Sequence, residues 1–288
     1  MLNSILSNIK NKKLLMDQQK IFHLVNIDSE HSKIEKMITK GFPIDHKDED
    51  GNTLLIKACN RGYTKLAVML LELGSDPNAF SNGGSTPIMK AVKEGTTGLV
   101  KILLNYKADP NNTDQFNNNA LFFVNSKTEI EMVKLLAPKI KNINHINLSG
   151  YNAIHKACTG VKPEVLEELI NFGVDVEAKD NKGSTPLHEA VLQRRANLVK
   201  TLYPFLHDIN IVNEKNITPL HIACRNSDIN LVRFLIDHGA NPNLRSSQGF
   251  NALDKLERKS VLSTLEKEIC AILKDKMEEQ PVRKLKAI

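Results

Sequence analysis

Seven positions spaced 33 residues apart, Gly51, Gly84, Asn117, Gly150, Gly183, Asn216 and Gly249, succeed one another without insertion or deletion. No other feature of the chain constrains its fold as tightly. A module that short cannot close a core of its own and must bury its apolar side against its neighbours, which gives a stack rather than a globule. Two residues after each position stands Thr53, Thr86, Asn119, Asn152, Thr185, Thr218 or Asn251. All of these side chains accept hydrogen bonds from the free N–H groups of a first helical turn, so every module is expected to open a helix at the same place. Pro87, Pro186 and Pro219 come next in three modules, at a helix start where proline forfeits no hydrogen bond. Leu55, Ile88, Leu121, Ile154, Leu187, Leu220 and Leu253 then fall in register and form the expected core column.

A second apolar stretch of helical spacing begins about 15 residues after each glycine position, as in "NLVKTLYPFL" from Asn197 and "NLVRFLIDHG" from Asn230. It closes at Gly41, Gly74, Gly173 and Gly239, where a left-handed residue ends a helix. Lys107, Ile140 and Leu206 replace that glycine, and Pro138 and Pro204 lie two residues ahead of the last two. Proline cannot continue a helix without losing a hydrogen bond, so those two helices are expected to stop short.

Two helices and a turn in 33 residues, with the phrase T-P-L-H-x-A, resemble the ankyrin repeat. "STPLHEA" is a full copy, "ITPLHIA" is nearly another, "STPIMKA" and "YNAIHKA" are close, and "NTLLIKA", "NNALFFV" and "FNALDKL" are degenerate. The resemblance covers residues 17–256 and implies an all-α solenoid of stacked helix-turn-helix units with hairpin-like turns. Units are expected at 15–47, 48–80, 81–113, 114–146, 147–179, 180–212, 213–245 and 246–259, the outer ones imperfect as terminal repeats must be to stay soluble. One period before Gly51 lies Gln18, so "KIFHLV" reads as an N-terminal capping unit with His23 in the histidine column. Residues 1–16 read as an amphipathic segment with Leu2, Ile5, Leu6 and Ile9 on one side. Residues 257–288 read as a capping helix, with Val261, Leu265, Ile269 and Ile272 on one face, followed by a short basic tail.

The resemblance also implies that His23, His155, His188 and His221 hydrogen-bond within their own turn and to the neighbouring repeat. Ile56, Met89, Phe122 and Asp254 fill the same column elsewhere, so no catalytic role is expected there. Cys59, Cys158 and Cys224 share the column behind the helix alanine, where a small apolar side chain packs well. His155 with Cys158 and His221 with Cys224 each sit three residues apart on a helical face, a spacing that suits zinc. The two pairs are two repeats apart, however, or about 20 Å for helices stacked 8–10 Å apart, and zinc ligands lie about 2 Å from the metal. The chain has no glycine-rich phosphate loop, no paired-carboxylate arrangement and no H-E-x-x-H, so neither cofactor nor metal is expected.

With 41% hydrophobic and 25% charged residues, the 288-residue chain reads as folded and soluble. Its apolar runs are far shorter than the about 20 residues that cross a bilayer. No signal-peptide h-region is present, and four scattered cysteines fit a reducing compartment. A net charge of +6 without a block of five like charges argues against nucleic acid or a membrane as the main partner.

In such a stack the concave side, lined by turn tips and first helices, is the binding surface. By resemblance the variable positions flank the repeat glycine and end the first helix. Around Gly51 these are polar, among them Asn52, Asn60 and Arg61. The following units present Phe80, Phe116, Ile146, Leu148 and Tyr151, and the C-terminal half a basic run of Lys182, Lys215, Arg225, Arg245, Arg258 and Lys259 with Ile217 and Phe250. The expected function is a monomeric, non-enzymatic adaptor that grips a protein partner by Phe80, Phe116, Leu148 and Tyr151 and an acidic stretch of it by the basic half. The alternative is electrostatic binding of nucleic acid or anionic membrane through that half. "LYPFLHDIN", with Leu202, Asp208, Ile209 and Asn210, resembles the L-x5-D-φ-N context of asparaginyl hydroxylases, which implies modification of Asn210 and, in similar hairpins, of Asn78 and Asn111. The asparagine-, lysine- and isoleucine-heavy wording fits an AT-rich genome and an effector of an intracellular bacterium, cytoplasmic and acting in host cytoplasm or nucleus.

Overall fold

The computed structural model describes residues 19–25 and 31–279; the expected amphipathic segment and the end of the basic tail lie outside them. Among the described residues all regular structure is helical. The chain divides into two compact units, Met1–Lys141 and Asn142–Ile288. The first holds α1 (residues 19–24), α2 (His31–Thr39), α3 (Leu54–Arg61), α4 (Thr64–Glu72), α5 (Pro87–Glu94), α6 (Thr97–Asn105) and α7 (Ile130–Leu136). In it α3 pairs with α4 and α5 with α6, while α3 stacks on α5 and α4 on α6. The second holds α8 (Ala153–Ala157), α9 (Pro163–Asn171), α10 (Pro186–Leu192), α11 (Ala196–Leu202), α12 (Pro219–Arg225), α13 (Ile229–Asp237), α14 (Asp254–Glu257) and α15 (Thr264–Glu279). Here α8 pairs with α9, α10 with α11, α12 with α13 and α14 with α15, and α8, α10, α12 and α14 stack in that order.

The period is visible atom by atom. All seven glycine positions have positive φ, from 52° at Asn216 to 80° at Gly249. Gly51 shows why: a Cβ there would come within 2.5 Å of the backbone nitrogen of Asn82. Three residues before the first six of these positions, a polar side chain ties the hairpin from inside. Asp180, for example, accepts from the N–H groups of Lys182 at 2.8 Å and Ser184 at 2.7 Å. Adjacent tips are joined by backbone bonds such as Asn82 N–H to Asp50 at 3.0 Å and Glu214 N–H to Lys182 at 3.0 Å. The helix-cap column from Thr53 to Asn251 is buried throughout, and so is the leucine/isoleucine column behind it. Full burial of one such aliphatic side chain is worth about 1.5–3 kcal/mol.

The second helices α4, α6, α7, α9, α11 and α13 bury the same three columns, for instance Leu66, Ala67 and Leu70 in α4 and Leu198, Val199 and Leu202 in α11, whereas α2 buries only Ile34. As the prolines imply, α7 and α11 have 7 residues where α4, α6, α9 and α13 have 9. Pro138 and Pro204 lie in the 3₁₀ turns Ala137–Lys139 and Tyr203–Phe205 that follow.

Three expectations need correction. "NNALFFV" opens not an α-helix but the 3₁₀ turn Ala120–Phe123. The Asn125 amide takes the carbonyls of Phe123 at 3.1 Å and Lys93 at 2.8 Å, and the chain becomes extended at Val124. Second, α15 buries Glu266, Ile269, Cys270 and Leu273, whereas Val261 and Leu265 are exposed and Ile272 is half-buried. Ile269, Cys270 and Leu273 match Leu231, Val232 and Leu235 of α13 at a spacing of 38 rather than 33 residues, so extra chain before α15 displaces its inner face. Third, His23 is exposed while Phe22 is buried. The cap position of that module is Lys20, which offers the ring no hydroxyl or amide acceptor.

Candidate functional site

The residues that most resemble catalytic chemistry are engaged inside the stack. His155, His188 and His221 place Nδ1 3.2 Å from the backbone nitrogen of Asn152, Thr185 and Thr218. Their Nε2 atoms reach across to carbonyls of the next hairpin, Ser184 at 3.1 Å, Ile217 at 2.9 Å and Phe250 at 3.1 Å. A carbonyl can only accept, which assigns the proton to Nε2. Burial holds all three rings below their ordinary value, against the opposing effect of the hydrogen bonds they donate to those carbonyls. Met89 replaces histidine in α5, where Thr86 N–H meets the thioether sulfur at 3.5 Å and the Thr86 hydroxyl is buried without a partner.

All four cysteines are free and buried, and burial pushes the Cys224 thiol up to about 12. A thiolate nucleophile is therefore disfavoured at every one of the three repeat cysteines, since burial raises Cys59 and Cys158 as well. Among the described residues no group of three His, Cys, Asp or Glu side chains is placed to hold a metal ion. No described helix is long and apolar enough to cross a membrane.

Asn78, Asn111 and Asn210, the expected modification sites, belong to a column that also contains Asn144 and clamps successive hairpins. Asn210 Oδ1 accepts from Asn241 N–H at 2.7 Å while its Nδ2 donates to Gly239 at 3.2 Å. Asn78 bridges Asp109 and Lys107 in the same way, and Asn111 bridges Lys141 and Lys139. Glu177 occupies the column once and is met by His207, whose N–H and Nδ1 each lie 2.7 Å from a carboxylate oxygen.

The expected anchors are divided between the two units. In the first, Phe80 and Phe116 are 60% and 57% exposed at turn tips, and the Lys47 ammonium sits 4.3 Å from the Phe80 ring centre. In the second, Leu148 is 66% exposed and Ile146 is exposed beside it. Tyr151 is only half-exposed, because its ring stacks on His155 at 5.0 Å. Ile217, Arg225 and Phe250 line one depression together with His221 and Gln248. Lys182 and Lys215 are exposed on neighbouring tips. Other members of the basic run are already engaged: Arg258 lies 4.0 Å over the Phe250 ring, Arg245 donates to Gly249 O at 2.6 Å and pairs with Asp254, and Lys259 pairs with Glu266.

Two features escape the sequence reading. Tyr203, Phe234 and His238 form an aromatic cluster, with Tyr203 4.5 Å and Phe234 4.0 Å from the His238 ring. The i, i+4 spacing of Phe234 and His238 at the end of α13 is its sequence trace. The second is a 190 Å³ pocket between α3 and α5, lined by Asn52, Ile56, Lys57, Asn60, Arg61 and Lys90. Lys57 and Lys90 occupy equivalent positions one period apart, a regularity that could have found it.

A model of the ankyrin-repeat family matches the chain in three segments, residues 22–114, 120–211 and 193–275. No curated protein matches it.

Proposed function

Because the chain belongs to the ankyrin-repeat family, whose repeats are protein-interaction modules, we propose that it is a non-catalytic adaptor that holds a partner protein on its turn tips and first helices. The observation that carries this reading is an inversion of exposure. Histidines that could do chemistry are engaged in bonds between modules and the cysteines are buried, whereas Phe80, Phe116 and Leu148 stand more than half exposed where a solvated hairpin needs no apolar group. In the second unit, Ile217 and Phe250 share a depression with Arg225, the apolar-beside-arginine combination of binding hot spots. An acidic stretch of the partner suits Lys182, Lys215 and Arg225, which are exposed on the same unit. The engagement of Arg245, Arg258 and Lys259 within the chain supports this reading over a purely electrostatic one. Composition supports the narrower reading of an effector acting in a host cytoplasm.

Proximity labelling with the full chain names the partner, and titration of that purified partner tests the surface. Phe116→Ala and Leu148→Ala should each weaken binding by about tenfold without lowering the melting temperature. Unchanged affinity in both variants removes the hairpin anchors from the account.

A further inference from the structure

Within the second unit, the ends of two neighbouring second helices enclose a space of their own. Proline at 204 stops α11 at Leu202, and the 3₁₀ turn Tyr203–Phe205 that follows lines a 410 Å³ pocket together with His238 and Gly239 at the end of α13. Two imidazoles on its wall are held by the same rule. His238 places Nδ1 2.6 Å from the Phe234 carbonyl oxygen, and His207 places Nδ1 2.7 Å from a Glu177 carboxylate oxygen. A carbonyl and an ionised carboxylate can only accept, so the proton of each neutral ring lies on Nδ1 and leaves a lone pair at Nε2. Neither Nε2 has a partner among the described residues.

Asp208 is the one carboxylate that lines the pocket. One of its oxygens accepts from Asn210 N–H at 2.8 Å, and the other has no partner among the described residues. The hairpin does not require that charge, because one period on Asn241 does the same work, accepting from Asn243 N–H at 2.9 Å. Of the charges around the pocket, Glu177 stands behind His207 and Asp237 precedes His238 in the chain, while the Lys200 ammonium lies 6.0 Å from the centre of the Phe234 ring, outside the lining. Three acceptors beside the half-exposed Tyr203 ring, at the negative end of a helix, are the complement of a planar cation that carries several donors. We propose that this pocket receives an arginine side chain of a partner polypeptide, with Asp208 as its counter-ion, the two Nε2 atoms as further acceptors and Tyr203 as the ring beside it. The site draws on no residue of the surface proposed above, so the two are tested separately.

The test is an NMR titration of the full chain with N-acetyl-arginine amide, run beside the lysine and citrulline amides and free arginine at matched ionic strength. Citrulline keeps the shape of arginine without its charge. The expected result is a saturable shift of the Asn210 side-chain amide and of the His238 and Gly239 backbone amides with the arginine amide, at least about fivefold tighter than with lysine. Asp208→Asn keeps the acceptor for Asn210 N–H and should weaken binding by about tenfold at an unchanged melting temperature. His238→Phe keeps a ring against Phe234 and removes one acceptor; it should weaken binding by about threefold, and serves if Asp208→Asn fails to fold. Shifts no larger than those with citrulline, or wild-type affinity in both variants, overturn the site. Equal affinity for lysine overturns its assignment to a guanidinium, and tighter binding of free arginine overturns its assignment to a polypeptide.

Discussion

His188 donates from Nε2 to the carbonyl oxygen of Ile217, 2.9 Å away, so the start of α10 is bonded to the hairpin that opens the following module. The same ring accepts at Nδ1 from the backbone of Thr185, 3.2 Å away. One neutral imidazole therefore closes its own turn and staples the next. Replacing it by alanine leaves a backbone donor, a carbonyl and a cavity inside the stack, and His188→Ala should cost about 2–4 kcal/mol. Equilibrium urea unfolding measures that loss; a change below experimental error would show that the staple contributes nothing.

His155 and His188, which are buried, and the half-buried His221 also set the sign of a pH effect. Their folded pKa values lie below the ordinary 6.5, so on acidification the unfolded chain takes up protons before the folded chain does. Their contribution is complete above pH 6.5 and is lost as pH falls toward and through the depressed folded values. The urea midpoint should therefore fall between pH 7.5 and 5, and less steeply in His188→Gln. Parallel profiles for the two proteins would remove His188 from the effect.

Gly51 and Gly249 separate two costs that coincide in most turns. Both have positive φ, 76° and 80°. A Cβ at Gly51 would also strike Asn82, whereas one at Gly249 would point into open space. Gly249→Ala should cost only the left-handed penalty of about 1–2 kcal/mol, and Gly51→Ala distinctly more. Equal thermal shifts in the two variants would argue that adjacent turn tips do not press on one another.

Asn210 calls for an amide rather than any short polar group, because one end accepts from Asn241 N–H and the other donates to Gly239 O. Asn210→Asp keeps the acceptor but sets a second carboxylate oxygen against a carbonyl, and should lose about 1–3 kcal/mol at neutral pH. Protonating that carboxyl restores a donor, so the gap to wild type should narrow at pH 4. A gap independent of pH would contradict the clamp.

What the chain's letters reveal about its fold follows from which contacts recur. The glycine positions were readable because positive φ recurs at them every 33 residues, and the histidines of α8, α10 and α12 because one hydrogen-bonding geometry recurs in those modules; a repeated geometry demands a repeated residue type. Departures were not. The 3₁₀ turn at Ala120–Phe123 depends on Asn125 reaching the Lys93 carbonyl in the preceding module, and the inner face of α15 depends on extra chain that breaks the period. Tyr151 could be picked out as aromatic, but not as stacked on His155.

Glu266 fastens the last helix. Its carboxylate is bonded by the Lys259 ammonium, by the N–H of Ser263 at 2.9 Å and by the hydroxyls of Ser227 at 2.8 Å and Ser263 at 3.0 Å. The Lys259 bond, followed by those from Ser263 and Ser227, holds the group down at about 2. A depressed carboxyl stabilises the folded state fully above its ordinary 4.5 and ceases to do so as pH falls through about 2. Ser227 lies in the turn between α12 and α13, so the loss should be local to the docking of α15. Amide resonances of Ile269, Cys270 and Leu273 should therefore begin to exchange broaden between pH 4.5 and 2, before those of α10. In Glu266→Gln the carboxylate is absent at every pH, and α15 should already be loosened at neutrality with no further transition in that window. If the glutamine variant keeps α15 as well ordered as wild type at pH 7, the carboxylate is not what fastens it.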